Sequence, residues 1–203
     1  MRNFKILNNQ LKQLSLKEFL YLLKQALFFN EPILVYKLDI SQAEAQCLTP
    51  VDGVQIEKGN LGDLEQARQT MKPLPWEFQC HEFDGVEDFF VARDVTGVQH
   101  ISWVYFHHHR NRLLSLGEME AEIKFCLTLP ALRGKGIYPR VILMILNYLQ
   151  SKGMQRVFMC VHRDNHPSIR GIEKAGFKRV GEIRLRKIMG VQISPRFDTS
   201  RVQ

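Results

Sequence analysis

From Leu129 the sequence continues Pro130-Ala131-Leu132-Arg133-Gly134-Lys135-Gly136-Ile137-Tyr138-Pro139. Glycines at 134 and 136 let a backbone turn tightly and approach a ligand with no Cβ in the way. Arg133 and Lys135 bring positive charge to the same turn. A helix predicted from Tyr138-Pro139 to about Leu149 would add unpaired amide groups and the positive end of its dipole. The chemistry this composes is anion binding, and a pyrophosphate is its natural occupant. The spacing is neither the G-x-x-x-x-G-K-[ST] loop of nucleotide hydrolases nor the G-x-G-x-x-G turn of dinucleotide-binding folds.

A second group of candidates lies just upstream. Glu118, Glu120 and Glu122 alternate with Met119 and Ala121, so an extended chain puts all three carboxylates on one face. Strict alternation continues that face through Lys124, Cys126 and Thr128, leaving Ile123, Phe125, Leu127 and Leu129 opposite. One polar side on an interior strand suggests that it lines a site, and a carboxylate there is a candidate general base. The bland alternative is three solvated surface glutamates. Three adjacent histidines, His107-His108-His109, read as a turn rather than a metal site, because neighbours on a strand point to opposite faces. No metal is expected.

These residues need a scaffold. Ser15-Leu16-Lys17-Glu18 is a capping box, and Leu16, Phe19, Leu20, Leu23 and Leu27 follow on one helical face up to Glu31-Pro32. Ile33 to Asp39 reads as a strand, Ser41 to Gly53 as a connector, Val54 to Lys58 as a strand and Leu61 to Met71 as a helix. Phe89 to Arg93 and Gln99 to Phe106 form a hairpin about Asp94-Val95-Thr96-Gly97. Strands over Glu120–Leu129 and Arg156–His162 then alternate with helices over Tyr138–Leu149 and Pro167–Ala175. A last strand pair follows from Phe177, broken near Gly181 or Gly190. The order predicts a mixed α/β sheet with parallel pairing in its second half. We expect residues 1–50 to form a helix-and-strand extension, 51–190 the main domain and 191–203 a tail.

The whole chain has 203 residues, 45% of them hydrophobic, enough for one domain with its own core. Four separated cysteines without a C-x-x-C pair, and no signal-peptide pattern at the start, point to a reduced cytoplasmic protein. Twenty-eight Lys and Arg against 21 Asp and Glu leave a net charge of +7. The excess gathers between Arg2 and Lys24 and between Lys178 and Lys187. Nothing interleaves aromatics with basic residues as base-stacking surfaces do, which argues against nucleic acid. Residues 1–30 are a candidate for weak membrane-surface contact or for dimer formation.

With the loop and the carboxylates in hand, the chain resembles the GNAT superfamily of acyl-coenzyme A N-acyltransferases. The resemblance covers roughly Val54 to Met189. It rests on Pro130-x-x-Arg133-Gly134-Lys135-Gly136-Ile137 and on Asn165-x-x-Ser168 followed by Glu173-Lys174-Ala175-Gly176-Phe177. It implies a centrally splayed sheet flanked by helices, with the N-terminal helical extension added here, and acetyl-coenzyme A as acyl donor. It further implies that backbone groups of Leu127, Thr128 and Leu129 meet the pantetheine arm. Arg133, Gly134, Lys135, Gly136 and Ile137 would hold the pyrophosphate, and Asn165 and Ser168 would contact the cofactor.

Ala121 to Cys126 resembles the strand on which histone acetyltransferases of the superfamily carry a glutamate base at the position of Glu122, with Glu120 the next candidate. The sequence departs from the family at Ala131, at Tyr138, and at Ile172, where many members carry a general-acid tyrosine. The expected activity is direct transfer of an acetyl or other short acyl group to a primary amine on a small molecule. A resemblance to bacterial members of surface-glycan pathways suggests an amino sugar or cell-envelope precursor, sugar- or nucleotide-linked. The competing expectation is a non-catalytic coenzyme A-binding sensor or assembly module, suggested by Ala131 and Ile172.

Overall fold

The computed structural model describes residues 28–41, 50–110, 113–188, 191–192 and 194–202. The chain divides into two compact units, Ile33–Ile183 with Arg196–Gln203, and Met1–Pro32 with Arg184–Pro195. The helix expected after Ser15 lies outside the described residues up to Leu27. Phe28 to Pro32 belong to a strand, so Glu31-Pro32 sits within extended chain and ends no helix there. In the smaller unit, the end of strand β8 (Lys178–Ile188) pairs antiparallel with β9 (Val191–Gln192), and Arg186 N donates to Ser194 Oγ at 3.3 Å. Strand β8 runs unbroken through Gly181, so the expected interruption is not at that glycine.

The larger unit is built on a sheet. Its strands are β1 (Phe28–Asp39), β2 (Gln55–Lys58), β3 (Phe89–Asp94), β4 (Gly97–Phe106), β6 (Glu120–Thr128), β7 (Arg156–His162) and β8, in the order β2-β3-β4-β6-β7-β1-β8. The helices are α1 (Leu61–Thr70), the short α2 (Cys80–Asp84), α3 (Ile137–Ser151) and α4 (His166–Lys174). A two-stranded parallel ribbon joins β5 (Leu114–Ser115) to β10 (Phe197–Asp198), and the sequence patterns gave no sign of it.

Pairing between β6 and β7 is parallel, from Glu120 opposite Arg156 to Ile123 opposite Met159. Pairing between β7 and β1 is antiparallel, from Ile33 opposite His162 to Asp39 opposite Arg156. The parallel pairing expected in the second half is thus present between β6 and β7, and an antiparallel strand from the front of the chain lies beside β7. Tyr36 on β1 donates to Glu173 Oε1 on α4 at 3.0 Å, which ties that strand to the helix beside it.

Each face of the sheet buries its own core. On one face Val141, Ile142, Ile145 and Leu149 of α3 pack on Val104, Ala121, Ile123 and Met159. On the other, Leu64 and Ala67 of α1 and Phe78 pack on Val91, Ile101, Trp103 and Tyr105. Trp103 is fully buried, and its indole N–H donates to the Glu77 carbonyl at 2.7 Å, so its polar handle is satisfied. Asn60 and Asp63 close a capping box at the start of α1, and Asp63 also holds Arg93 at 2.6 Å.

Candidate functional site

Past Ile123 and Met159 the strands β6 and β7 have no further partners in common, although β6 runs to Thr128 and β7 to His162. The β6 edge from Lys124 to Thr128 thus faces a gap, and backbone groups there are open to a ligand. A bulge sharpens the divergence. Ile101 pairs with Leu127 and Trp103 with Lys124, so Ser102 faces two residues, and Phe125 takes a left-handed φ of 51°. The bulge inverts the strict alternation expected from the sequence. Phe125 and Leu127 pack in the core with Tyr105 and Trp103, while Cys126 joins Ile123 on the face that α3 covers.

The loop after β6 starts with a 3-10 turn, Pro130–Leu132. Gly134 and Gly136 have φ of +77° and +71°, a region that favours glycine. Gly136 is the N-cap of α3 and no side chain caps that end. The amides of Gly136, Ile137 and Tyr138 therefore start the helix without a side-chain acceptor; Pro139 has none to offer. Arg140 reaches back to donate to the Gly136 carbonyl at 3.0 Å, and a Cβ on Gly136 would lie 2.4 Å from its Nη1. Across the gap, Asn165 caps α4 by accepting from Ser168 N at 3.3 Å.

A cleft of about 630 Å³ joins these parts, a volume suited to a small-molecule ligand. Of the expected binding residues, Leu127, Thr128, Arg133, Gly134, Gly136, Ile137, Asn165 and Ser168 line it. Lys135 is exposed beside the turn and Leu129 is not in the lining. The Leu129 amide donates to the Gln99 carbonyl at 2.7 Å, so the hairpin strand already uses it. Glu77, Cys126, Tyr138 and Arg170 also line the cleft. The sequence gave a signal for Cys126, on the polar face of the strand, and for Tyr138, as a bulky residue where small ones are common; Glu77 and Arg170 arrive through tertiary contact.

The three glutamates have separate fates. Glu118 is exposed in the turn before β6. Glu120 is buried: Arg156 pairs with its Oε1 at 2.8 Å, while Gly117 N donates to Oε2 at 2.7 Å and Thr199 Oγ1 at 2.5 Å. Those partners fasten the start of β6 to β7 and to the C-terminal segment, which makes Glu120 a structural carboxylate. Glu122 is fully buried one pleat nearer the gap. Its carboxylate lies 3.6 Å from Lys124 Nζ, and burial pushes the pKa of the neighbouring Cys160 thiol well up.

Lys124 in turn lies over the rings of Tyr105 and Phe125, at 4.7 and 4.9 Å. Half-exposed Trp76 packs edge-on against Phe125, so an aromatic wall stands beside the bulge. Ile172, where the family tyrosine was sought, is buried in the core. The histidines after β4 form a turn: His109 Nδ1 accepts from Phe106 N at 3.0 Å, and its ring lies 4.2 Å from that of His108. Among the described residues no group of metal-ligating side chains occurs.

A splayed β6–β7 pair, a glycine turn at an uncapped helix start and an asparagine cap facing it define a GNAT fold. The sequence model of the GNAT acetyltransferase domain matches residues 54–178, and the chain belongs to that family. No protein of curated function matches it. Among solved structures, an acetyltransferase of the GNAT family from Novosphingobium aromaticivorans shares 15% identity, with TM-score 0.52, covering 75% of this chain and 61% of that one. A GNAT acetyltransferase from Colwellia psychrerythraea shares 14%, with TM-score 0.53, covering 86% and 63%. The glucosamine N-acetyltransferase region of a fungal multi-domain β-N-acetylglucosaminidase shares 17%, with TM-score 0.56, covering 84% and 22%. The likeness at these identities is one of fold, and the chain spans about three fifths of the length of the first two.

Proposed function

We propose that the chain transfers an acetyl or other short acyl group from acyl-coenzyme A to a primary amine. The observation that carries this reading is the cleft that joins an uncapped helix start at Gly136 to the unpartnered edge of β6. The donor set fits the group. Amides of Gly136 to Tyr138, with Arg133 nearby, suit a pyrophosphate, and the β6 backbone at Leu127 and Thr128 suits the amides of a pantetheine arm. Gly134, Lys135, Ile137, Asn165 and Ser168 complete the proposed binding set. When bound, acyl-coenzyme A supplies an activated thioester carbonyl.

The chain supplies the rest. Open backbone amides beside the bulge are suited to polarise a carbonyl. Glu122, buried just below the gap, takes the ammonium proton of the acceptor directly or through water, so that the free amine can attack. The new bond is N–C, the broken bond is C–S, and the leaving sulfur takes a proton. An amino sugar or cell-envelope precursor is the proposed acceptor class, and it rests on the sequence resemblance. A cytoplasmic setting agrees with the free thiols of Cys80, Cys126 and Cys160.

The test is release of free thiol from acetyl-coenzyme A with a panel of amines that includes amino sugars. Wild type is expected to release thiol with at least one amine, and Glu122→Gln to lose roughly 10²-fold or more of that rate. A second reading is a coenzyme A-binding module without turnover, favoured by the burial of Ile172 where many members carry a tyrosine. Tight coenzyme A binding with no thiol release for any amine would establish the module instead.

A further inference from the structure

The base proposed for the acceptor's ammonium already faces an ammonium of the chain itself. Lys124 Nζ lies 3.6 Å from Glu122 Oε2, and the Lys124 side chain is 10% exposed. An ammonium is strongly hydrated, so a lysine stem normally carries it out to water. This one stays in, over the rings of Tyr105 and Phe125 at 4.7 and 4.9 Å.

Charge pairing and aromatic packing would account for that burial in any core. The place of Lys124 in the fold sets it apart. It follows Ile123, the last residue at which β6 pairs with β7, and precedes Phe125 with its left-handed φ. The cleft is lined along β6 by Thr128, Leu127 and Cys126, and also by Glu77 of the 3-10 turn Trp76–Gln79. Trp76 packs on the Phe125 ring at 4.6 Å and Lys124 lies over the same ring, so Lys124 stands just past that end of the cleft. A donor with its pyrophosphate at the glycine turn and its arm along β6 directs its thioester end toward Glu122 and Lys124.

We propose that Lys124 is itself an acyl acceptor: with no amine substrate in the site, the chain acetylates Lys124 Nζ, using Glu122 as base. The proposal rests on the acyl-coenzyme A reading above. Glu122 takes a proton from the Lys124 ammonium, and the freed lone pair attacks the thioester carbon. The N–C bond forms, the C–S bond breaks, and its electron pair leaves on sulfur. One proton of the ammonium stays on the amide, one ends on sulfur, and one passes from Glu122 to water. Nothing is oxidised or reduced. The amide product carries no charge and fills the space before the base, so the reaction occurs once per chain and closes the site to other amines.

The experiment first measures coenzyme A binding to the full chain by calorimetry. The chain is then incubated with acetyl-coenzyme A alone, and peptide mass spectrometry locates the acetylated lysines. The chain unfolded in urea, Glu122→Gln and Lys124→Arg are treated alongside. Chemical acetylation by the thioester follows exposure, so a merely structural Lys124 would label more slowly than Lys135, which is exposed beside the glycine turn, and would gain on unfolding. Self-transfer predicts the reverse. In the native chain Lys124 should label about tenfold or more faster than Lys135, at a rate constant independent of protein concentration, and lose that lead in urea. Glu122→Gln should slow Lys124 labelling about 10²-fold or more and leave Lys135 unchanged. Lys124→Arg keeps a cation but offers no amine, and should lack the wild-type burst of one free thiol per chain.

Absence of coenzyme A binding would defeat the acyl-donor reading and self-acetylation with it. Binding with Lys124 unlabelled, or labelled no faster than Lys135, would overturn self-acetylation alone. Labelling of Lys124 at the wild-type rate in Glu122→Gln would do the same. The comparison of native with unfolded chain needs no variant, so it decides the matter even where a variant does not fold.

Discussion

Replacing Glu122 by glutamine keeps the side chain's shape and removes its charge, leaving Lys124 Nζ, 3.6 Å away, without its carboxylate. At that distance the pair's attraction is about 5 kcal/mol with an effective dielectric near 20. Regained hydration offsets part of it, because the Lys124 side chain is 10% exposed and rests on two aromatic rings. The expected net loss of stability is about 2–3 kcal/mol, roughly 5–10 °C in Tm for a chain of this size. Thiol release should fall by about 10²-fold or more if Glu122 is the base. Adding Lys124→Met separates the two effects, because it removes the charge that glutamine leaves stranded. The double variant should regain most of the lost Tm, measured by calorimetric melting, and none of the lost turnover. Recovery of turnover together with Tm would refute Glu122 as base and leave it a charge partner of Lys124.

Three shorter predictions follow from other parts of the molecule. Gly136→Val places a Cβ against Arg140 at a φ of +71°, so coenzyme A binding measured by calorimetry should weaken about tenfold or more; unchanged affinity would mean that the turn is not the anion site. The His100 pKa, lowered by burial to about 3, lies below the unfolded value of about 6.5, so the unfolded chain binds more protons between those limits. Its contribution is present above about pH 6.5 and is lost as pH falls, by about 1.4 kcal/mol per unit; urea melts should show that slope flattened in His100→Gln. Deletion of residues 1–27 should abolish co-sedimentation with anionic vesicles if that segment is a membrane-surface helix, and wild-type protein that stays in the supernatant would exclude the idea.

Most secondary structure was legible from local pattern. The hairpin about Asp94 to Gly97, strand β7 and helices α1, α3 and α4 appear within a residue or two of their expected bounds, because alternation, helical spacing and turn residues act over short stretches. The glycine turn was legible for the same reason: positive φ at 134 and 136 is a local demand that side chains meet poorly. The β6 faces were misread from Phe125 onward. Alternation assumes an unbroken ladder, and the bulge opposite Ser102 is set by the pairing of two strands rather than by either sequence alone. Alternation alone puts Glu120 and Glu122 on one face and does not tell them apart, for a similar reason. What separates them is Arg156, Gly117 and Thr199 closing on one, against Lys124 and Cys160 on the other.

The sequence by itself determined the glycine turn with its two basic residues, the helix that follows it, and the family to which they belong. Only the tertiary structure decided that β1, from the front of the chain, lies between β7 and β8, strands adjacent in sequence but apart in the sheet. It alone placed fully buried His100 between the hydroxyls of Thr128 and Ser102. Turns and helix starts are fixed by φ preferences and hydrogen bonds among near neighbours. Strand order and buried polar chains depend on which distant surfaces exclude water together, and residue spacing along the chain carries little record of that.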